Sequence, residues 1–303
     1  IGKLEEVGPE LVIVDSIQTL YTDDITSGPG NVAQVRECGL RLMHWAKSRN
    51  APILLAGHMT KDGSVAGPRV LEHMVDTVMY LEAQDINGYR MLRSGKNRFG
   101  STTEIGIFDM SEKGLLEIDD PSKVLLSQRY EQSVGTVLVP VIEGSRSLLL
   151  EIQALTSFSN SPIPRRVGTG MDYNRILMLS TVASRRAGLD LGRQDIIVNV
   201  AGGFRVNEPA ADLGVCLAIA SSFHNQGLAS DMVVCGEVGL SGEVRNIPSP
   251  QRRISEAFRL GLTKCLLPEL SKNDVDPIDG MDFIFVRTLR EAFDIALGQG
   301  AIK

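Results

Sequence analysis

The sequence lacks the marks of several protein classes. Its 303 residues contain no apolar run approaching the ~18 residues that a bilayer-spanning helix needs, so we expect no membrane contact. It also lacks an excess of positive charge, because the formal net charge is −6. A basic surface over the whole chain is therefore excluded, and any contact with nucleic acid must come from a local patch.

Closely spaced cysteines are absent as well. The four cysteines are Cys38, Cys216, Cys235 and Cys265; they form no C-x-x-C pair, and three of them lie in apolar stretches. This spacing predicts buried thiols rather than a disulfide framework or a zinc site, and it is typical of a reducing cytoplasm.

A phosphate-binding loop of the form G-x-x-x-x-G-K-S/T is also missing. Gly2-Lys3 is followed by Leu4, and Gly95-Lys96 by Asn97, so neither glycine–lysine pair completes the motif. The sequence thus lacks the loop and lysine that cradle nucleotide phosphates in many ATPases.

What is present reads as two α/β regions. Leu11–Val14 and Pro52–Ala56 are apolar runs on either side of a helical pattern over residues 31–49, which predicts parallel strands buried on both faces. A polar break at Asp119–Ser122 suggests one domain over residues 1–120, a linker over 121–133 and a second domain over 134–303. In the second domain the pattern predicts further strands and four helices, at Tyr173–Gly188, Ala210–Phe223, Pro250–Gly261 and Leu289–Gly298.

Polar residues follow both early strands. Asp15, followed by Ser16, ends the first strand, in the Walker B pattern that can hold Mg²⁺ at a sheet edge. His58 follows the second strand and opens a glycine-rich segment that carries Lys61 and Arg69. The alternatives are an aspartate that caps the next turn and an ordinary solvated surface loop.

A third set of candidate site residues lies in the run from Ser94 to Gly100. Alternation in an extended segment places Lys96 and Arg98 on the same side. Such a pair could reach the nucleotide of a neighbouring subunit, or it could belong to an ordinary basic hairpin.

Three motifs in order and spacing resemble the bacterial RadA (Sms) family of DNA repair proteins. They are Leu11–Tyr21 (LVIVDSIQTLY), Gly57–His73 (GHMTKDGSVAGPRVLEH) and Ser94–Gly100, which ends in the KNRFG run Lys96–Gly100. The resemblance implies an α/β RecA-like core, here truncated, followed by an α+β Lon protease-like domain of the ribosomal S5 domain 2 type. It also implies a hexameric, ATP-driven motor on single-stranded and branched DNA, which promotes branch migration and works with RecA recombinase.

The resemblance assigns roles to the motif residues. Asp15 would be the Walker B acid that holds Mg²⁺ with ATP, beside Ser16, and His58 would sense the γ-phosphate. Lys96 and Arg98 would act on nucleotide across a subunit interface. The segment carrying Lys61 and Arg69 would touch DNA.

The resemblance also sets limits. Zinc is expected only in an N-terminal segment that this sequence does not contain. With the phosphate-binding loop missing too, the chain is predicted to be a fragment that starts just before the Walker B strand and does not hydrolyse ATP alone.

The Lon-like half departs from its protease pattern. Alignment puts Asp212 at the position of the serine nucleophile and Arg253 at that of the lysine base, and an arginine cannot take up a proton at neutral pH. We therefore predict an Asp212–Arg253 ion pair and no peptidase activity. Paired arginines could instead contact DNA, Arg252-Arg253 ahead of Arg165-Arg166 and Arg185-Arg186, unless acids such as Glu256 neutralise them.

The function expected from these features is a part of an ATP-dependent motor in recombinational repair. The alternative is a DNA-binding and hexamer-assembly module without catalysis of its own, and a Lon-type peptidase comes last.

Overall fold

The computed structural model describes residues 1–58, 70–83, 89–127 and 133–298. Two compact units make up the chain: the first comprises Ile1–Tyr80 with Arg93–Thr102, and the second comprises Leu81–Leu92 with Thr103–Lys303. In the described part of the chain, no helix is long and apolar enough to cross a membrane.

The first unit is built on a β-α-β crossover. After a short helix α1 (Gly2–Val7), strand β1 (Val12–Asp15) pairs in parallel with β2 (Ile53–Ala56), and helix α2 (Val32–Arg49) connects them. The side chain of Asn31 caps the start of α2 by accepting from Ala33 N at 3.0 Å. The predicted helix over residues 31–49 and the parallel arrangement are confirmed.

The prediction that β1 and β2 are buried on both faces is wrong. Val12 is buried, but Ile13 is 63% and Leu54 52% exposed. One face of this strand pair packs on α2, and the described residues leave the other open. An apolar run shows only that a strand suits burial, and a neighbouring layer must still supply the cover.

Four further strands form a separate sheet. Their order is β3-β4-β5-β6, and β5 and β6 pair as an antiparallel hairpin. The sequence pattern predicts strands at Thr77–Leu81 and Tyr89–Ser94, which correspond to the first two of them, and it does not predict the other two. Their bounds are β3 (Thr77–Ala83), β4 (Tyr89–Asn97), β5 (Ile105–Ser111) and β6 (Gly114–Glu117).

The second unit contains a mixed sheet whose described strands follow the order β15-β14-β11-β7-β8-β10-β9. Strand β8 is antiparallel to both its neighbours, whereas β11, β14 and β15 run parallel to β7. The bounds are β7 (Thr136–Glu143), β8 (Arg146–Phe158), β9 (Arg166–Thr169), β10 (Gln194–Val200), β11 (Met232–Val234), β14 (Lys264–Pro268) and β15 (Asp282–Val286); β12 (Glu237–Val238) and β13 (Val244–Arg245) form a small hairpin.

Helices pack on both faces of the middle of this sheet. On β7, Val137, Val139 and Val141 pack with one core cluster, while Leu138 packs with another. Gly214 lets the central helix approach β7, because a Cβ there would overlap Val139. The helices are α3 (Pro121–Ser127), α4 (Tyr173–Ala187), α5 (Asp212–His224), α6 (Pro250–Arg259) and α7 (Leu289–Ala296).

The structure bears on two further predictions of the sequence. All four cysteines are buried free thiols, as expected. Residues 121–127, however, form helix α3 instead of an open linker, and Ser122 Oγ accepts from Leu149 N at 3.0 Å. The boundary between the predicted domains stays a prediction.

Candidate functional site: strand tips and buried ion pairs

The tips of β1 and β2 form one edge of the first unit. Asp15 is in register with Ala56, and His58 lies two residues beyond Ala56, so both predicted residues follow the same end of the parallel pair. Both side chains are exposed, whereas Ser16 is buried. The structure therefore places the exposed carboxylate of Asp15 and the imidazole of His58 at the edge where parallel sheets bind ligands.

Gln18 joins the two tips. It lies in a 3₁₀ turn (Ile17–Thr19), and its Nε2 donates to the carbonyl oxygen of His58 at 3.1 Å. Its Oε1 is buried and has no hydrogen-bond partner among the described residues. Gln18 was not predicted from the sequence, although it is a polar residue within one turn of the end of β1.

The turn after β1 is held by a second glutamine. Gln34 on α2 is 1% exposed and accepts from Thr22 N at 2.8 Å. Its amide also donates to the carbonyl oxygens of Thr22, Ile25 and Ser27. Because one side chain satisfies four backbone groups, the segment following the Asp15 tip is held against the helix.

Lys96 and Arg98 bind the same short segment. Lys96 Nζ donates to the carbonyl oxygen of Glu72 at 2.7 Å, and Arg98 Nη1 lies 2.9 Å from Asp76 Oδ1. Glu72 is also held by the Tyr80 hydroxyl, which donates to its carboxylate at 2.7 Å. Both cations thus contact the chain just after residue 69.

The turn of the KNRFG run has its own supports. Asn97 accepts from Phe99 N at 3.1 Å and donates to Ser101 O at 3.2 Å. Phe99 is 84% exposed. A Cβ at Gly95 would overlap the Tyr80 ring, which explains the glycine just before Lys96. The predicted DNA contacts Lys61 and Arg69 lie outside the described residues.

The predicted Asp212–Arg253 ion pair is wrong. Asp212 is 1% exposed in the first turn of α5, and both its oxygens bind Arg175, with Arg175 Nε 2.8 Å from Oδ1. Val238 N donates to Oδ2 at 3.2 Å. Burial raises the pKa of Asp212, while Arg175 acts in the opposite direction. Arg175 was not predicted as the partner of Asp212, because it lies 37 residues earlier, on α4, and no sequence motif links the two positions.

Arg253 has a different partner, Glu208. Arg253 Nη1 and Nη2 lie 2.7 and 2.6 Å from the two carboxylate oxygens of Glu208. The carbonyl oxygens of Pro140 and Pro248 accept two further bonds at 2.6 and 3.0 Å. Arg253 is 0% exposed, so the prediction that it contacts DNA is also wrong.

The other predicted arginines differ in exposure. Arg252, its neighbour on α6, is exposed. Arg166 is turned to the backbone, donating to the carbonyl oxygens of Gln194, Arg165 and Leu191. Of the Arg252-Arg253 pair, only Arg252 is placed where DNA could reach it.

A metal site built from protein side chains alone is not found in the described residues, where no cluster of three His, Cys, Asp or Glu residues could hold an ion. Asp15 could therefore hold Mg²⁺ only together with other oxygen ligands, such as nucleotide phosphates and water. An exposed carboxylate at a strand tip fits that use.

Comparison with known proteins agrees with the motifs. Residues 176–299 match the family described as Lon protease (S16) C-terminal proteolytic domain. Proteins named "DNA repair protein RadA" from Halalkalibacterium halodurans, Bacillus subtilis and Escherichia coli are 47%, 46% and 45% identical over 294, 295 and 291 residues. These alignments cover 96–97% of this chain.

The chain spans about 64% of the length of these curated relatives. Because the match covers 97% of this chain, it includes most of the first unit as well as the Lon-like half. At this identity over almost all of its length, the chain belongs to the RadA family.

Proposed function

We propose that this chain is part of an ATP-dependent DNA motor in recombinational repair that promotes branch migration on single-stranded DNA. Family membership supports the repair role. The observation that carries the motor role is the shared edge of β1 and β2, where Asp15 and His58 are exposed and Gln18 bridges the tips at 3.1 Å. RecA-like ATPases bind nucleotide at this kind of edge.

In this proposal Asp15 holds Mg²⁺ with ATP, beside Ser16, and His58 responds to the γ-phosphate. The phosphate-binding loop, absent from the sequence, would come from the part of the relatives that lies outside the match. A bound Mg²⁺ would neutralise charge on the phosphates, and the Gln18 bridge would keep the His58 backbone fixed relative to the Asp15 strand.

Lys96 and Arg98 would act on the nucleotide of a neighbouring subunit in a hexamer. The Arg98–Asp76 pair is half exposed on both sides, and such pairs contribute roughly 0–1 kcal/mol. A phosphate group can therefore replace Asp76 as the partner of Arg98 at small cost. Both cations bind the segment just after residue 69, through Glu72 and Asp76. If Lys96 and Arg98 left these partners to bind a nucleotide, the preceding segment with Lys61 and Arg69, which is predicted to contact DNA, would respond to whether nucleotide is bound.

The proposed partners follow from the same family. Single-stranded and branched DNA would contact Lys61, Arg69 and Arg252, and RecA recombinase would act with the motor. Zinc would be bound only outside this sequence.

A chimera tests the motor role. The matching 295 residues of the Bacillus subtilis RadA protein are replaced by this chain, and DNA-stimulated ATP hydrolysis is measured. Arg98→Ala should lower the rate by about 10³-fold or more, as for arginine fingers. Arg36→Ala, an exposed arginine on α2, is the matched control and should leave the rate unchanged. A chimera that turns over ATP equally well with Arg98→Ala would contradict the role.

The alternative is a DNA-binding and assembly module without its own catalysis, which the missing phosphate-binding loop favours for the chain alone. Single-stranded DNA binding that falls steeply with salt, without ATP turnover, would mark this module. A Lon-type peptidase gains no support, because both positions of the dyad hold residues engaged in ion pairs.

A further inference from the structure

Part of one face of the second unit's sheet is apolar, and the described residues leave it uncovered. Leu155, Ile197 and Val167 are in register across β8, β10 and β9 and form a single row. They are 61%, 44% and 45% exposed. Val134 extends the row, because the next residue, Gly135, accepts from Ala154 N at 2.7 Å.

The rest of the sheet does not look like this. Six successive residues of β7, from Thr136 to Val141, are buried, and Leu138 and Leu149 pack with Ile254 and Ala257 of α6 in one cluster. The bare row therefore lies in the same sheet as fully covered strands. A contiguous apolar strip of this kind, bordered by polar groups, is typical of an interaction surface.

Polar rows border the strip on both sides. On one side Asn199 Nδ2 donates to Gln153 Oε1 at 3.1 Å. On the other side Asp195 accepts from Arg165 N at 2.6 Å. The surface thus has an amide border and a border that carries a carboxylate and an arginine.

We propose that this face, defined by Leu155, Ile197, Val167, Asn199 and Asp195, binds the same face of a second copy of the chain around a two-fold axis that runs along the apolar row. In this arrangement each apolar residue meets its own counterpart. Asp195 faces the amide of Asn199 of the second copy, and Arg165 faces Thr169 of the second copy. An isologous contact needs such a self-complementary surface.

The charges select this axis. A two-fold axis along the strands would bring Asp195 against Asp195 of the second copy, and like charges across an interface are costly. The axis along the row avoids that meeting and supplies an amide donor for each carboxylate. A nucleic acid is the weaker candidate for this face, because the Asp195 carboxylate would repel phosphates.

This contact is independent of the proposed motor role. A two-fold interface closes at two chains, whereas a hexameric ring is joined by head-to-tail contacts. The two-fold contact would link two chains or two rings. We expect the 303-residue chain to form this contact without the rest of the motor.

The test measures the mass of the 303-residue chain by light scattering over a concentration series. The chain should shift from monomer to dimer, and Ile197→Lys should weaken the dimer more than about tenfold, because a charge would be buried unpaired. Leu240→Lys, at an exposed leucine in the turn between β12 and β13, is the matched control and should leave the dimer unchanged.

A crosslinking variant tests the axis itself. Since all four native cysteines are buried, Ile197→Cys offers one accessible thiol, and a short bismaleimide should link two copies through it. Leu240→Cys should give no such product. A chain that stays monomeric at all concentrations, or a dimer unaffected by Ile197→Lys and not crosslinked at residue 197, would overturn the proposal.

Discussion

The two units differ in how completely their strands are covered. In the second unit, β7 is buried on both faces and two core clusters share its alternate side chains. In the first unit, β1 and β2 carry equally apolar sequences, yet Ile13 and Leu54 stay exposed. The same kind of strand thus contributes to stability in one unit and presents an open surface in the other.

The largest contrast is expected between the two units' arginine pairs. Arg253 is fully buried against Glu208, while Arg98 and Asp76 are half exposed. Removing one partner of a buried pair leaves an uncompensated charge, so Arg253→Ala should cost about 3–5 kcal/mol of unfolding free energy. Arg98→Ala should cost about 0–1 kcal/mol. Urea denaturation followed by circular dichroism measures both.

Arg252→Ala is the matched control for the buried pair. It removes the adjacent, exposed arginine of the same helix, and such surface changes stay within about ±0.5 kcal/mol. Equal losses for Arg252→Ala and Arg253→Ala would show that helix α6, rather than the ion pair, sets the effect.

A smaller contrast concerns leucines. Leu149 on β8 is 0% exposed and Leu54 on β2 is 52% exposed. Leu149→Ala should destabilise the second unit by about 2–5 kcal/mol through the cavity that it leaves. Leu54→Ala should change stability by at most about 0.5 kcal/mol in this chain. A loss above 2 kcal/mol for Leu54→Ala would mean that another part of the molecule covers the open face.

The sequence predicted local elements better than contacts. Helix α2 has its cap at Asn31 and a periodic apolar stripe, so its bounds could be predicted closely. Hairpin β5–β6 was missed because its apolar residues do not alternate regularly with polar ones. Leu115 and Leu116 are adjacent, and both are exposed, as is Met110. Cover for β1 and β2 could not be predicted, since burial depends on layers that a strand's own residues do not specify.

The candidate site shows the same limit. Strand-end residues such as Asp15 and His58 could be placed from the order of the elements alone. The partners of Asp212 and Arg253 could not, because each is one charge among many and the pairing depends on how α4, α5 and α6 pack. Chemistry predicted that Asp212 needs a cation, and the fold supplies Arg175.

The smallest predicted effect is a pH dependence that comes from a histidine of the second unit. His224 ends helix α5, and burial lowers the pKa of its imidazole. The folded state therefore favours the neutral ring, and the unfolded state binds the proton more readily. The stability that His224 contributes is present above its unfolded pKa of about 6.5 and declines as the pH falls below that value. Urea midpoints measured from pH 7.5 to 5 should fall, and His224→Gln should make the decline shallower. An unchanged slope in His224→Gln would assign the acid sensitivity to other groups.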